Sequence, residues 1–107
     1  MLDFLKFGKK MPQWLAAEAR DSSRSAQKAV DRTMKALKKL MLSEEQGKRF
    51  FEVELKYQRE KKTIREMYFH LPDVRHEELL KLSEIRLQEM HGFLDANQYA
   101  LYRVESI

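Results

Sequence analysis

Three histidines, His70, His76 and His91, are the side chains of this 107-residue chain best suited to hold a transition metal. No two stand one helical turn apart, so no single helix presents a ready pair. His76 beside Glu77, or His91 beside Glu89, could contribute to a site shared between two copies. There is no cysteine. That removes disulfides and thiolate ligands and is permissive of an oxidising compartment. Nucleophilic chemistry finds no support either. Ser22, Ser23, Ser25, Ser43, Ser83 and Ser106 carry no motif around them. There is no Gly-rich phosphate loop, no Walker lysine and no His-Glu-x-x-His. Carboxylates are plentiful but interleaved with bases, as on solvated helices. The expectation is a protein that is not an enzyme, with no catalytic residue, no cofactor and no committed metal site.

Charge is the next candidate for function. The net charge is +4, and up to Leu42 ten bases face only four acids. Lys28, Arg32, Lys35 and Lys39 fall on one helical stripe. Such a stripe attracts acidic proteins, anionic membrane or nucleic acid, or else offsets an acidic half of the same fold. Aromatics are not interleaved with these charges and no nucleic-acid fold signature is present, so no nucleic-acid partner is expected. For membranes, residues 1–15 are the one candidate, with Leu2, Phe4, Leu5, Phe7, Met11 and Trp14 among Lys6, Lys9 and Lys10. No apolar run is long enough to span a bilayer. The opening residues do not read as a signal peptide, because Asp3 interrupts the apolar stretch and the charges follow it. Either the protein is cytoplasmic or an export signal is absent from this version of the chain.

The elements that must position these residues are helices. Charged residues make up 36% of the chain, Gly and Pro are few, and nothing alternates as a half-buried strand would. One feature occurs twice: Leu42-Ser43-Glu44-Glu45-Gln46 and Leu94-Asp95-Ala96-Asn97-Gln98. Phe50 and Tyr102 stand four residues past the two glutamines. Ser43 or Asp95 can cap a helix start, and Gln46 or Gln98 can reach back to the cap's own N–H. Leu42 and Leu94 precede the caps, where an apolar side chain packs on the first turn. Tyr99 stands at the staple position of the second copy. Gly47 stands there in the first and is expected to loosen that corner.

Around these corners the periodicity predicts a tail over residues 1–11, then a short helix over 13–20 anchored by Trp14 and Leu15. The first long helix covers 23–40, with Ala26, Val30, Met34, Leu37 and Met41 as its apolar stripe. The second covers 44–69, with Phe50, Val53, Tyr57, Ile64, Met67 and Leu71 on one side. A second side carries Phe51, Leu55, Arg59, Lys62, Arg65 and Phe69, mixing aromatics with positive charge. Pro72 breaks it. A third helix over 73–91 buries Leu79, Leu82, Met90 and Phe93, with Arg86 joining by its stem, and Gly92 marks its end. A fourth, short helix covers 96–104, and Ser106 and Ile107 fray. The predicted fold is all-α. A long antiparallel hairpin follows an N-terminal helix and precedes a short C-terminal one. Residues 1–22 form a tail with a short helix, and 23–107 form the domain. The two corners are expected to lie near each other, and a homodimer to cover the remaining apolar surface.

Residues 31–46, DRTMKALKKLMLSEEQ, continued by Phe50 and Tyr57, resemble the Spy/CpxP-like periplasmic proteins, whose hallmark is a repeated Leu-Thr-x-x-Gln motif. Leu94 to Gln98 with Tyr102 is similar to that family's second copy. Ser43 and Asp95 stand where the family has Thr. The resemblance implies a cradle-shaped homodimer in the bacterial envelope that acts as an ATP-independent holdase-type chaperone or as a stress protein. Unfolded or partly folded clients would bind on a face mixing charge with apolar patches. Arg32, Lys35 and Lys39 of the first helix and Phe51, Leu55, Arg59, Lys62, Arg65 and Phe69 of the second are the candidates for that face. A metal-responsive sensor of the same fold, or a non-catalytic helical interaction module, are the alternatives.

Overall fold

A computed structural model of the chain describes residues 11–105. Residues 1–10 of the tail expected over 1–11, most of the membrane candidate within residues 1–15, and the fraying of Ser106 and Ile107 lie outside the described residues. The structure is all-α. It comprises α1 (Gln13–Glu18), α2 (Arg24–Lys39), α3 (Glu44–Met67), α4 (Pro72–His91) and α5 (Ala96–Glu105), with no strand among the described residues. α2 and α3 begin on side-chain caps, and α4 begins on a proline. The Ser23 side chain accepts from the Ala26 N–H to start α2. Ser43 does the same for Gln46 at the start of α3, where Glu44 and Glu45 also suit the positive end of the helix dipole. Pro72 fills the first position of α4, where a missing N–H costs nothing.

α3 is the pivot. Its consecutive residues Phe50 and Phe51 point about 100° apart on the helix and enter two different cores. Phe50 joins Ala36, Leu40, Val53, Met90, Leu94 and Tyr102. Its ring meets that of Tyr102 edge-on, with centroids 5.7 Å apart. Such a pair adds about 0.5–1.5 kcal/mol to what burial supplies. Phe51 joins Leu15, Ala19, Ala29, Val30 and Met34 beneath α1 and α2. On the remaining side α4 runs back along α3, so that Gln46 lies by the Phe93 carbonyl and Tyr57 by Arg86. The principal extents are 44 × 34 × 19 Å, a slab about two helix diameters thick.

The structure corrects several expectations. Met41 is not part of the α2 stripe. The helix closes at Leu40, and Met41 turns the corner with φ of 51° and its side chain in solvent. Left-handed backbone there costs a residue with a Cβ about 1 kcal/mol. Ile64, Met67 and Leu71 continue the α3 stripe beyond the point where α2 begins, and Met67 and Leu71 are exposed. Arg86 does more than pack by its stem: its guanidinium reaches the Glu54 carboxylate and lies over the Tyr57 ring. Gly92 does end α4, as expected, and does so with φ of −68°, ordinary helical backbone. Gly47 does not loosen its corner. It is buried, and a Cβ there would stand 2.8 Å from Leu37 Cδ2 and 3.0 Å from Trp14 Cζ2. The missing side chain is what lets α1 and α2 close on the first turn of α3.

Candidate functional site

The two corners meet through their glutamines. Gln46 Nε2 donates to Gln98 Oε1 at 2.8 Å, and Gln98 Nε2 returns a bond to Gln46 Oε1 at 3.1 Å. Each Oε1 also accepts from the N–H of its own cap, Ser43 or Asp95, at 3.0 Å. The second N–H of each amide crosses to the other corner. Gln46 donates to the Phe93 carbonyl and Gln98 to the Leu40 carbonyl, both at 3.2 Å. Those carbonyls lie at the ends of α4 and α2, where a helix has no internal donor to offer. Four helix termini are thus tied by two side chains whose hydrogen-bonding capacity is fully used. Leu94 is buried and Leu42 packs on the same core. The motif is structural: no atom of either amide remains to take a ligand.

A charged centre lies one turn beyond Phe50, and sequence reasoning passed over it. Glu54 has no exposed surface. Arg86 Nη1 stands 3.4 Å from its Oε1, and Arg32 Nε stands 3.9 Å from its Oε2. Burial pushes its pKa up, more than the two arginines, Gln58 and Tyr102 bring it down. Gln58 and Tyr102 stand close enough to favour the charge, yet Glu54 Oε2, Gln58 Nε2 and Tyr102 Oη make no bond that meets hydrogen-bond geometry. Tyr102 is pushed well above the usual phenol range, first by burial and then by Glu54. The sequence carries a signal for this centre. Glu54 stands four residues after Phe50 and three before Tyr57, on the core-facing stripe.

The third feature is open to solvent. A groove of about 550 Å³ runs between the start of α2 and the distal half of α3. Ser23, Arg24, Ser25 and Lys28 form one wall; Gln58, Lys61, Lys62, Arg65 and Glu66 form the other. Every lining side chain is polar or charged. Among the described residues none of the five cations has a carboxylate oxygen within 4.0 Å. Burial holds the Lys61 ammonium below its usual pKa; Tyr57 opposes it, and the charges of Arg65, Lys28 and Arg32, each weaker than the Tyr57 effect, add to it. Asp21 lies nearby but is engaged. Two bonds from Ser23, then the Arg59 charge, lower its pKa. Past the groove, Met67, Phe69 and Leu71 are exposed at the hairpin turn.

The residues expected to bind clients divide accordingly. Arg32 is turned toward Glu54, Lys35 pairs with Asp31, Lys39 with Glu105 at 2.9 Å and Arg59 with Asp21. Phe51 is buried in the second core and has no free face. Leu55 is half-buried beside it. Lys62, Arg65 and Phe69 are exposed and lie at one end of the molecule. Arg24, Lys28 and Lys61 belong with them; of these, only Lys28 is on the sequence stripe. His70 packs edge-on against Phe69 and His91 against Tyr99. Among the described residues no three His, Asp or Glu side chains gather as a metal site, and no helix is long and apolar enough to cross a membrane. No protein-family model, curated protein or solved structure matches this chain.

Proposed function

We propose that this protein is an ATP-independent, holdase-type chaperone that binds unfolded or partly folded chains at the exposed turn of its helical hairpin. One observation carries the reading: exposed Met67, Phe69 and Leu71 stand beside Lys62 and Arg65, which have no carboxylate partner among the described residues. Positive charge gathers acidic stretches quickly and loosely. Exposed apolar side chains at the turn take up segments that a folded client would bury. Neither contact needs a nucleotide, a metal or a closed pocket. The resemblance of the paired corners to envelope-stress proteins supports a periplasmic setting for the same activity. Leu80 and Ile85 of α4 are exposed, and this uncovered apolar surface supports a homodimer.

The test is suppression of light scattering by a reduced, unfolding client. The full chain delays aggregation, and a Met67→Ser/Phe69→Ser variant of unchanged helicity does not. No delay at stoichiometric excess, or full activity in that variant, removes the reading. A variant that keeps one partner in a tight, saturable complex and shows no delay with any client is a helical interaction module instead.

A further inference from the structure

We propose that the groove between the start of α2 and the distal half of α3 is a binding site for a small, fully hydrophilic polyphosphate anion. The first argument is the state of the charge. Elsewhere in the molecule many lysines and arginines have found carboxylates, among them Lys39 with Glu105, Lys56 with Glu89, Arg59 with Asp21 and Arg86 with Glu54, although Arg20, Lys38, Arg75 and Arg103 have none within 4.0 Å among the described residues. In the groove Arg24, Lys28, Lys61, Lys62 and Arg65 converge with only Glu66 among them, and none is paired with a carboxylate among the described residues. Such crowding opposes folding through self-repulsion. A bound anion removes that repulsion.

The second argument is the lining. A volume of about 550 Å³ is of ligand size. Yet the walls offer no apolar side chain for a peptide's residues and no aromatic ring on which a base could stack. An acidic peptide or a nucleic acid therefore fits poorly, and a ligand made only of oxyanions fits well. The third argument is donor geometry. Arginine forks and lysine point charges bind phosphate oxygens strongly, and the Ser25 hydroxyl and Gln58 amide are further donors on the two walls. A single carboxylate carries one charge; clustered phosphates carry several in the same space. The ligand could be a linear oligophosphate or a polyphosphorylated polyol, which share this chemistry. The groove adjoins the turn that bears Met67 and Phe69 without including those residues, so either proposal can fail alone.

Calorimetric titration of the full chain in about 0.1 M salt tests this, with sodium tripolyphosphate, inositol hexakisphosphate, orthophosphate and citrate as separate titrants. At least one polyphosphate binds at a single site, and whichever is tighter names the source. Citrate, a polyanion of carboxylates, binds at least about tenfold more weakly. Lys61→Gln/Arg65→Gln weakens binding by at least about tenfold. Lys35→Gln/Lys38→Gln, which removes the same charge outside the groove, changes it by no more than about threefold. The single variant Lys61→Gln, which relieves crowding and keeps the fold, also weakens binding. No binding of either polyphosphate at millimolar concentration, equal losses in both double variants, or citrate binding as tightly would each overturn the proposal.

Discussion

A carboxylate without exposed surface must be held by partners or take up a proton. Glu54 stands between the two outcomes. Its arginine contacts, at 3.4 and 3.9 Å, are long for charge-assisted bonds, and Oε2 and Arg86 Nε have no hydrogen-bond partner. Burial therefore outweighs the arginines, and the folded pKa lies above the ordinary glutamate value of 4.5. The sign of the consequence follows from proton uptake. Over the interval between the two pKa values the native state binds more protons than the unfolded chain. This group's contribution to stability is complete below the unfolded value and is lost as pH rises through the folded one. Asp21, whose pKa is lowered, acts in the opposite sense, but it is common to wild type and a Glu54 variant and cancels between them. The stability of the wild type relative to Glu54→Gln is therefore expected to grow as pH falls from neutrality towards 4.5. Urea midpoints of the two proteins at several pH values measure it. A difference that stays constant or shrinks would mean that Arg86 and Arg32 keep the carboxylate charged throughout.

The elements of this fold are joined at corners, and the corners are joined to each other. Gln46 and Gln98 each complete a capping box, end the opposite helix and bond to one another. Removing one amide strands its partner's donor and a helix-terminal carbonyl, so each of Gln46→Ala and Gln98→Ala is expected to cost about 2 kcal/mol. Removing both strands less than the sum, so the double variant is less destabilised than addition predicts, by about 1 kcal/mol. Chemical denaturation of the four proteins gives this coupling, and strict additivity would show that the amides act separately. Much of this level was legible in the sequence. Capping boxes and the 3.6-residue period are local patterns, and they locate α2 to α5 to within a few residues. What escaped is what depends on approach between elements. Gly47 reads as a gap in a staple, and only the Trp14 and Leu37 side chains above it give it a purpose. Glu54 shares the Phe50 stripe, yet its ion pair with Arg86 spans the hairpin. Met41 continues a helical stripe in sequence and leaves it in space, because the chain must turn to reach Ser43.

At the scale of the molecule, excess positive charge is not spread evenly. α2 offers a basic stripe in sequence, but Arg32, Lys35 and Lys39 are matched by Glu54, Asp31 and Glu105 once the helices pack. Among the described residues five unmatched cations are collected where α2 begins and α3 runs on past it, in the groove next to the exposed turn. No reading of one helix at a time could place it there, because the groove is made by two helices whose basic residues are more than thirty positions apart in sequence. The arrangement has a consequence that needs no ligand. Burial, with smaller additions from the charges of Arg65, Lys28 and Arg32, disfavours the Lys61 ammonium by more than Tyr57 favours it, so Lys61→Gln is expected to melt at a higher temperature than wild type in dilute buffer. Burial does not respond to salt, but the repulsion does, since the screening length falls from about 30 Å at 0.01 M to about 10 Å at 0.1 M. The advantage of Lys61→Gln therefore shrinks as salt is added, whereas that of a variant gaining packing would not. Melting curves of both proteins between those salt concentrations decide it. A variant less stable than wild type in dilute buffer would mean that the 5.6 Å approach of Lys61 to the Tyr57 ring outweighs the crowding, and that the groove is not a centre of unrelieved charge.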